Sequence, residues 1–120
     1  MMKDYVNVER FEDEICITFY IENENVMMVA SKMEEINEEA YMNGYNWEVF
    51  FNYYLEKNEP ELLEELDTDS EAGLYSAFYP YSDENEKRAK KFGEIICNLI
   101  ENPEELYRIV QEESDEIEWD

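Results

Sequence analysis

The chain has 120 residues, 44 % of them apolar and 15 % aromatic, with 33 acidic against nine basic side chains and a formal net charge of −24. That length supports one domain with one hydrophobic core, and the aromatic content separates it from acidic disordered tails, which lack rings. The charge excludes a phosphate-backbone binder and opposes anionic membranes. It favours a basic partner drawn in by long-range electrostatic steering, although an acidic surface also simply keeps a protein in solution.

"YVNVERF" (5–11) and "EICITFYI" (14–21) predict two strands joined across a short "EDE" loop. In the second, Ile15, Ile17, Phe19 and Ile21 share one face and Cys16, Thr18 and Tyr20 the other, a rich pattern that predicts a central strand. The period then turns helical. Val26, Val29, Met33, Ile36 and Ala40 form a stripe, with Asn25 as expected N-cap and Asn43-Gly44 as expected C-terminus. A second helix is expected over 46–57, with Trp47, Phe50, Phe51, Tyr54 and Leu55 on its apolar face. Tyr45 is expected to fix the turn before it, and Tyr41 and Tyr53 to reach the surface. A short helix opens at Pro60 and turns Leu62, Leu63 and Leu66 inward.

"DTDSEAG" (67–73) predicts a loop, and "GLYSAFYPY" (73–81) a third strand that Pro80 ends or places at an edge. A long helix is expected over 83–100, opened by an Asp83/Glu86 capping box and striped by Ala89, Phe92, Ile96 and Leu99. The last helix is expected to take Asn102 as cap and Pro103 at its first position, docking through Leu106, Ile109 and Val110. The acidic tail from about 112 reads as frayed unless Ile117 and Trp119 tether it. The result is a single α+β domain over 1–120: about three largely antiparallel strands packed by three to five helices, in the order ββααα(short)βαα.

The catalytic inventory is thin. The chain has no His, which removes the commonest general base and metal ligand. Cys16 and Cys97 follow no metal or redox spacing, and both read as buried free thiols of a reducing compartment. Gly44, Gly73 and Gly93 are isolated, so no phosphate loop exists. Counting Asp67 as the first position of a calcium loop puts the glycine one residue late, at Gly73, and Phe78 where a Glu is needed. No cofactor or metal is expected. The N-terminus carries charges where a signal peptide needs an apolar stretch, and no apolar run is long enough to span a bilayer, so the expected location is cytoplasmic.

The acidity is uneven: nine acids and one base over 47–72, eight and one over 102–120, but five and four over 73–101, where "KRAKK" sits. That basic run reads as an exposed helix face with a local structural role.

"NGYNWE" (43–48), "YLEKNEPELLEEL" (54–66) and "DSEAGLYSAFY" (69–79) resemble the fifty-first numbered immunity-protein family of bacterial polymorphic toxin systems, over roughly residues 40–110. The most specific pieces are Gly44-Tyr45, Trp47 and Glu71-Ala72-Gly73; the chain departs from the pattern at Asn46 and Ser70, where Asp and Pro are expected. The resemblance implies a non-enzymatic inhibitor that binds the catalytic domain of a cognate toxin. The charge points to a nuclease, whose basic cleft an acidic partner can occupy. The expected contacts are Glu61, Glu64, Glu65, Asp67, Asp69 and Glu71, with Tyr79 and Tyr81 as aromatic anchors. Neither nucleic acid nor membrane is expected as a partner. The alternatives are an acidic regulator or DNA mimic that binds a basic cellular protein, and a carboxylate-dependent hydrolase using a divalent metal.

Overall fold

A computed structural model describes residues 2–120. Four strands form one antiparallel sheet in the order β1-β2-β4-β3: β1 Val6–Arg10, β2 Glu14–Phe19, β3 Asp67–Thr68 and β4 Tyr75–Pro80. Strand β2 is central, as its two-sided pattern predicts. The sheet has one strand more than expected, because β3 emerges from the "DTDSEAG" segment as a two-residue edge. Pro80 ends β4, and the chain's next donor, the Tyr81 N–H, bonds the Asp13 carbonyl (2.9 Å).

Four helices follow the expected order: α1 Glu24–Ile36, α2 Gly44–Asn58, α3 Asp83–Glu101 and α4 Glu104–Glu112, with 3-10 turns at Pro60–Leu63 and Ser114–Glu116. Helix α3 packs on β1, β2 and β4, α2 packs on β4, and α1 and α4 pack on each other and on α3. One face of the sheet therefore supplies the core: Ile15, Ile17, Phe19, Tyr75, Ala77 and Tyr79 are all buried. Against it α2 turns Trp47, Phe50, Phe51 and Leu55, and α3 turns Ala89, Phe92, Ile96 and Leu99. The apolar stripes read from the sequence are the packed ones.

The helix starts differ from expectation. Asn23 rather than Asn25 caps α1, its Oδ1 accepting the Asn25 N–H (2.9 Å). Helix α1 stops at Ile36, because Asn37 turns extended and its Oδ1 accepts the Glu39 N–H instead (2.9 Å). Asn43 caps the start of α2, its Oδ1 accepting the Asn46 N–H (2.9 Å), so Asn43-Gly44 opens a helix and does not close one. Ser82 caps α3, its Oγ accepting the Asn85 N–H (3.0 Å), which leaves Asp83 and Glu86 in the first turn, where the macrodipole favours acids. Asn102 ends α3 and Pro103 precedes α4 with no side-chain cap.

No glycine has positive φ, so Gly44 is not there for a left-handed turn. It is there for space. A Cβ at Gly44 would lie 2.6 Å from the Leu74 carbonyl oxygen and closer still to that of Glu71, while its N–H donates to the Ala72 carbonyl (2.8 Å). Gly44 and the 71–74 turn, both signature pieces, thus meet in space. The neighbouring Tyr45 is exposed and its hydroxyl has no hydrogen bond among the described residues, so the contact that fixes this turn is that of Gly44, where the sequence points to Tyr45.

Asn46 is buried, donates Nδ2–H to the Tyr41 carbonyl (2.7 Å) and accepts the Asp120 N–H (2.6 Å). The Tyr41 carbonyl also accepts the Asn43 N–H (2.9 Å), and an amide at 46 gives it a second donor, which the carboxylate that the resemblance expects could not supply. At the C-terminus Ile117 is buried, and Ser114 Oγ accepts from Asn37 Nδ2 (2.7 Å) and from Trp119 Nε1 (2.8 Å). Ile117 and Trp119 are the residues that tether the tail.

Glu113 gathers three partners from the helical layer. Its carboxylate accepts from Tyr53 Oη (2.5 Å), Lys57 Nζ (3.1 Å) and Arg108 (2.9 Å). The Tyr53 hydrogen bond, then those of Lys57 and Arg108, lower its pKa from the ordinary 4.5 to about 2. Since the folded value lies below the ordinary one, this group stabilises the fold fully above about pH 4.5, and its contribution fades as pH falls toward 2. Glu113→Gln is expected to cost about 1–2 kcal/mol at pH 7. The difference from the parent chain, measured by urea denaturation, should shrink as the pH is lowered through 4 toward 2.

Candidate functional site

The six acidic residues expected to bind divide into two groups. Glu61, Glu64 and Glu65 face helix α3 and its basic run. Lys91 Nζ sits 3.1 Å from Glu59 and 3.6 Å from Glu61, and Arg88 sits 3.2 Å from Glu64, 3.9 Å from Glu65 and 3.1 Å from Glu84. The Glu61 carboxyl is held below its usual range, first by a hydrogen bond shared with Glu59, then by its own backbone N–H and by Lys91. Two cations of "KRAKK" therefore clamp the Pro60 turn to α3, which is the local role the sequence indicates. Glu65 lies in this clamp with φ at +64°, a conformation that costs a non-glycine residue about 1–2 kcal/mol.

Asp67, Asp69 and Glu71 make no ion pair with any described residue and are exposed. Strand register explains where they point. Asp67 stands opposite Phe78, Phe78 opposite Cys16, and Cys16 opposite Glu9, so these four side chains form one row across the sheet. The row beside it runs Asn7, Thr18, Ser76, and the Asp69 N–H bonds the Ser76 carbonyl at its end (3.0 Å). Glu14 pairs with Pro80 in the row on the other side. These residues are exposed or half-buried, so this face is the sheet's open side.

The open face therefore has a half-buried centre of Cys16, Thr18, Ser76 and Phe78 between carboxylates: Glu9 and Glu14 toward one edge, Asp67 and Asp69 at the other. None of these four carboxylates has an ion-pair partner among the described residues. Cys16 Sγ lies 3.3 Å from Glu14, and burial, then that carboxylate, push its thiol up to about 11. It is half-buried, where the sequence indicates full burial. Glu9 and Glu14 were not picked out from sequence; period-2 alternation puts Glu9 on the solvent side, but only the register places it in line with Asp67.

The two tyrosine anchors fare differently. Tyr79 is fully buried, with its hydroxyl donating to the Leu62 carbonyl (2.6 Å), so it holds the Pro60 turn to the sheet and presents nothing to a partner. Tyr81 is half-buried, its hydroxyl donating to Asp83 (3.2 Å) and its ring carrying the Arg10 guanidinium at 4.3 Å. Of the other tyrosines, Tyr41 is exposed and Tyr53 is half-buried against Glu113.

Among the described residues no three His, Cys, Asp or Glu side chains converge as metal ligands, and no helix is long and apolar enough to cross a membrane. What these elements define is a small α+β domain in which, among the described residues, no Lys or Arg pairs with the carboxylates of the open sheet face and its β3 edge. The chain belongs to the Immunity protein 51 family, whose sequence profile matches residues 7–115. Family membership gives the function in outline: immunity against a toxin, through binding of that toxin. No curated protein and no solved structure matches the chain.

Proposed function

We propose that the chain is a non-enzymatic inhibitor that binds the catalytic domain of its toxin through the acidic sheet edge, and that this toxin is a nuclease. The observation that carries the reading is the division of the acids. Of the six acids expected to bind, Glu61, Glu64 and Glu65 are answered by cations of α3, whereas Asp67, Asp69 and Glu71, like Glu9 and Glu14 of the open face, have no ion pair among the described residues. Unpaired carboxylates raise the cost of the chain's own −24 charge, and a basic partner offsets that cost on binding. A nuclease cleft, built to hold phosphates, supplies such a surface. The paired residues Glu61, Glu64 and Glu65, with Tyr81, form the rim of the contact. The inhibitor works in the cytoplasm, where free thiols such as Cys16 and Cys97 persist, and needs neither nucleic acid nor membrane.

Co-expression in a bacterium with the toxin domain encoded beside its gene tests this. Growth is restored by the parent chain, and restoration weakens when Asp67, Asp69 and Glu71 are changed to Asn, Asn and Gln. Loss of growth with the parent chain present would reject the immunity reading. Full rescue by the neutralised chain would reject the acidic edge. A toxin domain that degrades neither DNA nor RNA would reject the nuclease assignment alone.

A further inference from the structure

A second surface lies beyond the tip of the β3–β4 turn. The turn residues Ala72 and Gly73 form one wall of a groove of about 250 Å³, and helix α1 with the 41–43 linker forms the other. Ile21, Met27, Ala30, Tyr41 and Met42 contribute apolar surface to it. Tyr41 is 63 % exposed and Met27 53 %, unusual for large apolar side chains in a chain whose other rings are mostly packed. Tyr41 stands here because Asn37 ends α1 early and Asn46 pins the Tyr41 carbonyl, so the linker holds its side chain outward.

Two carboxylates, Glu22 and Glu34, line the same groove, no Lys or Arg does, and neither acid has an ion pair among the described residues. The Glu22 carboxylate reaches over the turn where Gly73 has no side chain: a Cβ there would lie 3.3 Å from Oε2.

We infer that this groove receives an arginine side chain of the toxin and is a specificity contact of the inhibitory complex. The inference rests on the immunity reading above and adds a second contact to it. A planar guanidinium stacks on an aromatic face, its methylene stem covers thioether and methyl groups, and its fork bonds carboxylates; Met27, Tyr41, Glu22 and Glu34 offer all three together. Lysine lacks the plane and the fork. Ala72, which lines the groove, directly follows Glu71 in the chain, so one basic partner can engage both.

The test uses the full chain and the toxin domain encoded beside its gene, expressed with its catalytic group disabled. Tyr41→Ser and Glu34→Arg should each weaken binding at least tenfold by calorimetry, while the free chains melt within a few degrees of the parent, since both side chains are exposed. Changing one toxin arginine to Glu should restore binding to the Glu34→Arg chain. Both groove variants binding within threefold of the parent would overturn the inference and leave the immunity reading standing. If the parent chain binds no toxin, that reading fails first, and titration of the free chain with N-acetyl-arginine amide still judges the groove. Amide shifts at Ala30, Ser31 and Gly73 would support it, and shifts confined to other residues would overturn it.

Discussion

Replacing Gly44 with alanine is expected to cost about 3 kcal/mol or more and to lower the melting temperature by about 10 °C or more. The added methyl meets the carbonyl oxygens of Leu74, at 2.6 Å, and Glu71, atoms of a backbone that cannot rotate away as a side chain can. Relief requires α2 to move off the 71–74 turn, which breaks the Gly44–Ala72 hydrogen bond and shifts the core face of α2 that follows it. The same displacement moves Glu71 and Gly73, so toxin binding should weaken along with stability. The segments at 43–47 and 71–73, which carry the resemblance in sequence, therefore form a joint between two parts of the chain. A Gly44→Ala chain that melts within about 2 °C of the parent would show that the joint is not tight.

Phe51→Ala should be comparably severe, at about 3–5 kcal/mol. Phe51 is the centre of the aromatic core. Its ring lies 5.7 Å from Phe19, 5.4 Å from Trp47, 6.0 Å from Phe50, 5.0 Å from Tyr75 and 5.7 Å from Phe92, between centroids. These pairs join β2, β4, α2 and α3, so truncation opens a cavity where the sheet meets both helices, and edge-to-face geometry is lost as well as area. Two members of this core, Trp47 Nε1 and Tyr75 Oη, have no hydrogen-bond partner among the described residues; each such buried group costs about 1–3 kcal/mol, and the packing of the rings has to offset it. Phe51→Leu keeps most of the volume and should cost clearly less. A loss under about 1.5 kcal/mol for Phe51→Ala in urea denaturation would contradict this view of the core.

Much of this core is visible in the sequence because burial imposes a period. Ile15, Ile17 and Phe19 alternate, and Ala89, Phe92, Ile96 and Leu99 recur every three or four residues, so strand, helix and inner face follow together. Helix starts are less legible. Asn23 and Asn25, or Ser82 and Asp83, are both good caps by chemistry, and only the backbone path chooses between them. Strand β3 has two residues and no apolar pattern, so it leaves no periodic trace and exists because β4 offers it an edge.

The site was half legible for a related reason. Composition reveals where carboxylates concentrate along the chain, but whether each is free depends on contacts distant in sequence. Glu64 and Arg88 are 24 residues apart and Glu59 and Lys91 are 32 apart, so the neutralised half of the acidic segment looks identical to the free half until the chain is folded. Tyr79 shows the same limit: its alternation with Tyr75 and Ala77 is clear, but that this face is the inner one is decided by α2 and α3.

The association rate with the toxin domain, followed by stopped flow across salt concentrations, shows whether the acidic edge is the docking surface. If Asp67, Asp69 and Glu71 steer a basic partner, the parent rate should fall at least about tenfold between roughly 50 and 500 mM salt. The Asp67→Asn, Asp69→Asn, Glu71→Gln chain should associate more slowly at low salt and respond less steeply. A parent rate that does not change with salt, or a neutralised chain that associates as fast as the parent, would contradict an acidic edge as the docking surface.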